Sequence, residues 1–363
     1  LRSDTAADGQ VNVPHSIPGV GPTVWGILLA VPPAAFVLEL CLGSVLIPPR
    51  QVWAILLGQS GAPEGWREII LIYRLPRAVT AMLGGAALGM AGLKMQTLFR
   101  NPLADPFVLG ISSGASLGVA LVILAAWSLG FRSILEKTGI FGNASLVLAA
   151  VAGSGVVLTV VMGIARRVES SLTLLIVGLM FGYISSALVN VLLQFALEHQ
   201  MQSYMAWTFG SFGGVTWKQL ALLSPIIAAG LLLAMVLVKP LNALLLGERY
   251  ARSMGVNVRR ARTWIILGAS LLSGTVTAYC GPIGFLGIAV PHLCRLILRT
   301  SDHRVLVPAV ILIGSALALL ADVLAQVPGT RIVLPLNSVT SLIGAPVVIG
   351  VILRGRQVLE ADA

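Results

Sequence analysis

At 363 residues, with 57% hydrophobic and only 10% charged positions, the chain lacks the polar surface that a water-soluble domain of this size requires. Its net charge of +10 does not point to nucleic acid, because the basic residues fall in short loops and at the ends of apolar segments, where topology and lipid signals sit. The composition excludes a soluble enzyme and a nucleic-acid binder and predicts an all-α, polytopic membrane protein.

Residues 1–23 are polar and rich in Gly and Pro, without the basic-then-apolar order of a cleavable signal, and are expected to form a disordered cytoplasmic tail. From residue 24 to the end the chain reads as one transmembrane domain. Apolar windows of about twenty residues, enough to cross roughly 30 Å of hydrocarbon, fall at 24–46, 77–98, 107–128, 144–165, 172–197, 219–239, 261–280, 282–299, 305–325 and 333–354. They predict about ten transmembrane helices. With the N-terminus inside, sixteen of the 24 Lys and Arg residues fall on the cytoplasmic side, which predicts both termini there. Cys41, Cys280 and Cys294 lie within or at the ends of these windows and read as small core residues.

Arg74-Leu75-Pro76-Arg77 opens the second window, and the double-proline hinge Asn101-Pro102-Leu103-Ala104-Asp105-Pro106 follows it. Gly110, Gly114 and Gly118 then recur at four-residue spacing, which lets helix backbones touch. Gly85-Ala86-Ala87-Leu88, leading to Pro106 and Gly110-Ile111, is echoed by Gly268-Ala269-Ser270-Leu271, leading to Pro282 and Gly287-Ile288. Such an internal repeat would place a pathway near both hinges; chance similarity between Gly- and Ala-rich helices is the rival reading. In the fifth window Gly178, Gly182, Ser185, Ser186 and Asn190 put small and polar residues along one side, for helix packing or for a weakly polar wall of a path.

The stretch 239–262 breaks the pattern of short connections, with apolar and charged residues interleaved and Gly247 and Gly255 as helix stops. It predicts two short cytoplasmic helices, either lying on the membrane surface or docking a soluble partner. Glu39 and Asp322 are the ionisable residues to weigh within the windows, since such groups by default mark an ion pathway. Glu39 is near the outer end of its window and can snorkel, and Asp322 is placed to cap or pair locally. The chain has no Gly-Lys dipeptide and hence no phosphate loop, so ATP chemistry is expected on another chain. Its four histidines show no ligand spacing, no metal site is expected, and no convergent acid, base and nucleophile set appears. An ion-coupled secondary transporter is the alternative of another class.

Together with Trp207-Thr208-Phe209-Gly210, Gly213-Gly214-Val215-Thr216-Trp217, Gly281-Pro282-Ile283-Gly284-Phe285-Leu286-Gly287, Pro291-His292, Asp302-His303-Arg304 and Gly344-Ala345-Pro346, these stretches resemble the FecCD-type permease family from about residue 24 to 355. Its members are membrane subunits of bacterial ABC importers for vitamin B12, haem and ferric siderophores. The resemblance implies a ten-helix bundle of the type II importer fold in the inner membrane. It implies a second permease subunit, identical or not, two cytoplasmic ATPase subunits that hold ATP and Mg, an external substrate-binding protein, and no cofactor on this chain. The cargo would be a bulky metal chelate, a ferric siderophore first, with haem or vitamin B12 as alternatives.

By the same resemblance, the helices within 241–255 would sit in an ATPase cleft, through Leu241, Leu244, Leu245, Gly247, Glu248, Ala251, Arg252 and Gly255. Asn101, Pro102 and Leu103, with Ser170, Ser171 and Leu172, would lie at the cytoplasmic mouth. The fifth and third windows would line the path and the partner interface, with Gly110, Gly114, Gly178 and Gly182 among their pathway or packing residues. An external rim of Arg74, Arg77 and Arg331 would receive acidic side chains of the binding protein. The chain departs from the family pattern at Gln326, where Arg is usual and Arg331 could stand in. It departs also at Val333-Leu334-Pro335-Leu336-Asn337, where Glu-Leu-Pro-Val-Gly is usual, and at Lys94, usually uncharged.

Overall fold

The computed structural model describes residues 21–59, 63–128, 143–165, 167–168 and 171–361. The expected N-terminal tail therefore lies outside the described residues except for its last three. Helix α1 (Pro22–Cys41) begins with a proline in its first turn, where the missing N–H costs nothing. After α2 (Pro49–Leu56), the short α3 (Glu64–Glu68) runs through a π-helical turn, Ile69–Arg74, into α4 (Leu75–Phe99). The π turn sits just before Pro76, which cannot donate to the ladder, so the hydrogen bonds change register there.

A 3₁₀ turn, Pro106–Leu109, leads to α5 (Ile111–Ser128), then α6 (Asn143–Ala165), α7 (Ser171–Gln194), α8 (Glu198–Thr208) and α9 (Trp217–Val236). The chain continues through α10 (Val238–Leu245), α11 (Glu248–Ser253), α12 (Val258–Cys280), α13 (Leu286–Leu298), α14 (His303–Ala325) and α15 (Leu336–Ala361). Among the described residues seven helices are long and apolar enough to cross a membrane, and α13 and the apolar parts of α5 and α15 are shorter. Those ten helices fall on the ten predicted windows.

Helix α4 is the centre of the bundle and packs against α14, α12, α13 and α9. Its glycines explain how: a Cβ on Gly85 would overlap the Gly314 carbonyl, and one on Gly92 the Gly287 carbonyl, so the backbones touch. The four-residue spacing in α5 does the same work, with Gly114 against Gly153 and Gly118 against Ala149 of α6. Lys94 of α4 is fully buried, and its Nζ donates to the carbonyl of Gly230 at 3.2 Å. The missing side chain at Gly268 leaves room for it, a Cβ there lying 2.7 Å from Nζ.

The two predicted hinges meet inside this bundle at Pro106 and Gly287, while residues 101–103 of the first are exposed. At 13 residues α13 is about 20 Å long, too short to span. Its Gly287 touches Gly92, seven residues or about 10 Å from the end of α4, and a Cβ on Gly287 would lie 2.7 Å from Cδ of Pro106. Irregular backbone at such depth survives only where protein satisfies its polar groups. Asn337 does this for the turn before α13, its Nδ2 donating to the carbonyls of Pro282 (2.5 Å) and Thr208 (2.9 Å) and its Oδ1 accepting from the Gly284 N–H (2.8 Å). The departure at this position is therefore a structural bracket. Asn337→Gly is expected to cost about 2 kcal/mol by leaving buried backbone groups unpaired. It should appear as a lower thermal midpoint in detergent with transport retained; an unchanged midpoint would mean that the bracket stabilises nothing.

Candidate functional site

The stretch 239–262 folds as the two short helices predicted. Leu241, Ala243, Leu244 and Ala251 are buried against the bundle, and Gly247, at φ 104°, supplies the break between α10 and α11 that a Cβ would strain. Polar bonds fix their position. Asn242 donates from Nδ2 to Asp302 Oδ1 at 2.6 Å, and its Oδ1 meets the backbone N–H (2.9 Å) and Nδ1 (2.7 Å) of His303. His303 Nε2 lies 2.9 Å from Thr97 Oγ1 at the end of α4. Burial raises the Asp302 carboxyl pKa, but the Arg304 N–H, the Asn242 amide and the nearby cations outweigh it, and the group is held below its ordinary range. Arg262 Nη2 donates to Glu248 Oε1 and its Nη1 to the carbonyl of Val168, both at 2.8 Å, tying α11 to α12 and to the chain entering α7.

The face turned away from the bundle carries Leu246, Tyr250 and Met254, exposed to 63%, 51% and 59% and four residues apart, beside the exposed Arg249, Arg252 and Ser253. A cleft of about 1,060 Å³ separates this face from Leu98, Phe99 and Arg100 at the end of α4. This corrects the expected docking set. Leu241, Leu244, Gly247 and Ala251 form the inner, buried face, Leu245 and Glu248 are half-buried, and Arg252 and Gly255 are exposed. Leu246, Tyr250 and Met254 were not singled out in the sequence, and their spacing could not mark them, because Gly247 breaks the helix between the first two.

Arg100, at φ 48°, ends α4, and Asn101 Oδ1 accepts from the Leu103 N–H at 2.9 Å, making the hinge a tight turn. The turn is tethered to α13: His292 Nε2 lies 2.9 Å from the Pro102 carbonyl, and Arg295 Nη1 donates to Gln96 Oε1 at 2.6 Å. Leu103 is exposed, as is Leu172 at the start of α7. Ser171 opens that helix, and Ser170 lies outside the described residues.

Along α7 the small-residue stripe changes character. A Cβ on Gly178 would lie 2.5 Å from the Val108 carbonyl, Gly110 (φ 74°) faces the Gly178 carbonyl, and Gly182 faces Ser113. Ser185 is buried, whereas Ser186 and Asn190 are exposed. Gly110, Gly114 and Gly178 therefore pack against neighbouring backbone, and the exposed polar residues of this stripe are Ser186 and Asn190, farther along α7.

At the opposite end of α4 the expected basic rim is not formed. Arg74 is buried and donates to the carbonyls of Leu40, at 2.7 Å, and Val45. Arg77 grips Asp322 with Nε at 2.6 Å and Nη2 at 2.9 Å, and its Nε lies 3.7 Å from Glu39 Oε1. Gln326 Nε2 donates to Glu39 Oε1 at 2.5 Å. Glu39 is fully buried and does not snorkel, and Asp322 pairs across the bundle with α4. The reason is that α1, α4 and α14 bring these helix ends together out of water, where charges must find partners. Of the four expected docking residues only Arg331 is exposed.

The profile of the FecCD transport family matches residues 28–354. The chain is 37% identical to the vitamin B12 import system permease protein BtuC of Klebsiella pneumoniae over 319 residues, 88% of this chain and 90% of that one. It is also 37% identical to BtuC of Escherichia coli strain HS over 323 residues, 89% of this chain and 92% of that one. Its fold is similar to a solved inward-facing structure provisionally assigned as a metal-chelate type ABC transporter, with a TM-score of 0.77, 27% identity, and coverage of 92% of this chain and all of that one.

Proposed function

This chain belongs to the FecCD transport family and is a multi-pass permease of an ABC importer; from that premise we propose that it moves a bulky metal chelate inward across the bacterial inner membrane. Two cytoplasmic ATPase subunits, holding ATP and Mg, supply the energy, and an external binding protein delivers the cargo to a pair of permease subunits. Both termini are cytoplasmic, and residues 239–262 form the coupling loop. The observation that carries this reading is the exposed apolar stripe Leu246, Tyr250, Met254, set among arginines on two short helices whose other face is locked to the bundle. A lipid-facing helix needs no such bracing, whereas a lever pushed by a partner does.

A ferric siderophore remains the first choice of cargo. A corrinoid is the second reading, favoured by the vitamin B12 permeases among the relatives. Uptake of labelled ferric siderophore and of labelled cobalamin into vesicles holding the permease, its ATPase and its binding protein tests both. ATP-dependent uptake that persists when an ionophore collapses all gradients is expected. Uptake that stops with the ionophore, or continues without ATP, would replace this reading with the ion-coupled one.

A further inference from the structure

The ends of α4, α10 and α13 and the hinge turn enclose a cavity of about 500 Å³, lined by Thr97, Arg100, Pro102, Leu245, His292 and Arg295. Two of these residues are cations. Arg295, in the last turn of α13, is half-buried and gives Nη1 to the neutral Gln96 Oε1 at 2.6 Å, while Arg100 is exposed where α4 ends. Neither has a carboxylate partner among the described residues. The acidic side chains of this end of the bundle are held elsewhere, Asp105 by the Phe107 N–H, Glu248 by Arg262, and Asp302 by Asn242 and the Arg304 N–H. Topology alone accounts for an exposed arginine such as Arg100. It does not account for a guanidinium drawn half out of water with no counter-charge, which is unfavourable until something negative meets it. The cavity also adjoins the docking face: Arg100 lines both it and the cleft of about 1,060 Å³ beside the stripe, and the consecutive Leu245 and Leu246 line one and the other.

We propose that an acidic side chain of the ATPase enters this cavity and meets Arg100 and Arg295, as a second contact apart from the apolar stripe. Guanidinium groups match a carboxylate through paired N–H donors. The occupant is the ATPase because a subunit seated on Leu246, Tyr250 and Met254 covers the cleft that Arg100 shares with the cavity. This contact rests on the reading of 239–262 as the coupling loop and adds a charged anchor to it. Its consequence lies at the hinge. A carboxylate held by both arginines joins the end of α4 to α13 on either side of Pro102, whose carbonyl is already held by His292 Nε2. A shift of the ATPase is then passed to Asn101, Pro102 and Leu103 directly as well as through α10 and α11.

In the purified permease–ATPase complex, Arg100→Lys and Arg295→Lys each place a primary amine where the carboxylate would sit, and a carbodiimide joins that amine to a touching carboxylate as an amide, with loss of water. Mass spectrometry of the digested product is expected to show positions 100 and 295 joined to one acidic peptide of the ATPase. Arg295→Gln, which can keep the bond to Gln96, is expected to weaken ATPase association about tenfold and to flatten its salt dependence. Unchanged association in that variant would overturn the proposal. An amide to Asp4, Asp8, Glu360 or Asp362 of this chain would overturn it in favour of a terminal segment filling the cavity. No amide at either position with the ATPase still bound would also overturn it and leave the stripe as the docking contact. The exposed position 100 decides this even if the variants at 295 fail to fold. An ATPase that does not associate with the unaltered permease would overturn the coupling-loop reading together with this contact.

Discussion

Tyr250→Asp is expected to strip the ATPase from the purified permease while leaving membrane insertion and thermal midpoint unchanged. Tyr250 stands in the middle of the exposed stripe with Leu246 and Met254, and an aromatic at the centre of an apolar contact is the type of residue that carries binding energy. Losing it and burying a carboxylate in its place should cost at least about 2 kcal/mol, or roughly thirtyfold in affinity. Transport should fall with it. Buried Ala251 gives the contrast. A tryptophan there would overpack the seam between α11 and the bundle by about 1–3 kcal/mol or more, lowering the thermal midpoint as well as any ATPase retention. If Tyr250→Asp retained the ATPase at wild-type levels, the stripe would be a membrane-surface face and coupling would have to run elsewhere.

What the sequence made legible divides along physical lines. Ten apolar windows mapped onto ten helices because burial in hydrocarbon demands long apolar runs whatever the neighbours are. Gly114 and Gly118 declared close packing because four-residue spacing marks one helix face, though nothing in the spacing said that Gly153 and Ala149 would meet them. The outer cluster was misread for the same reason. Arg77 and Asp322 are 245 residues apart, and a single chain does not say which helix ends abut, so a buried pair looked like a docking arginine and a local cap. In the stretch 239–262 the charge pattern announced short helices, but which face was inner depended on Asn242 meeting Asp302 and His303. Asn337 looked like an unexplained departure until the turn at residues 281–285 needed its amide.

Arg77→Leu is expected to destabilise the permease by about 4 kcal/mol, the cost of removing one partner from a buried ion pair. Asp322 would lose a two-point grip at 2.6 and 2.9 Å, and Glu39, fully buried beside it, would lose its nearby cation. Two carboxyl groups would then share one dry site with no cation beside them. Yield and thermal midpoint should fall together. Removing the stranded charges as well, in Arg77→Leu with Asp322→Leu and Glu39→Gln, should recover most of the loss, because a packed apolar replacement of a buried charge cluster is often neutral. A docking arginine would behave oppositely: its loss would leave the thermal midpoint unchanged and slow association with the binding protein, and no change at Asp322 would repair it. A stable Arg77→Leu with slowed association would therefore restore the rim. A destabilised single variant rescued by the triple one would establish the cluster as the clasp that holds α1 and α14 on α4, and leave Arg331 as the arginine to test for docking.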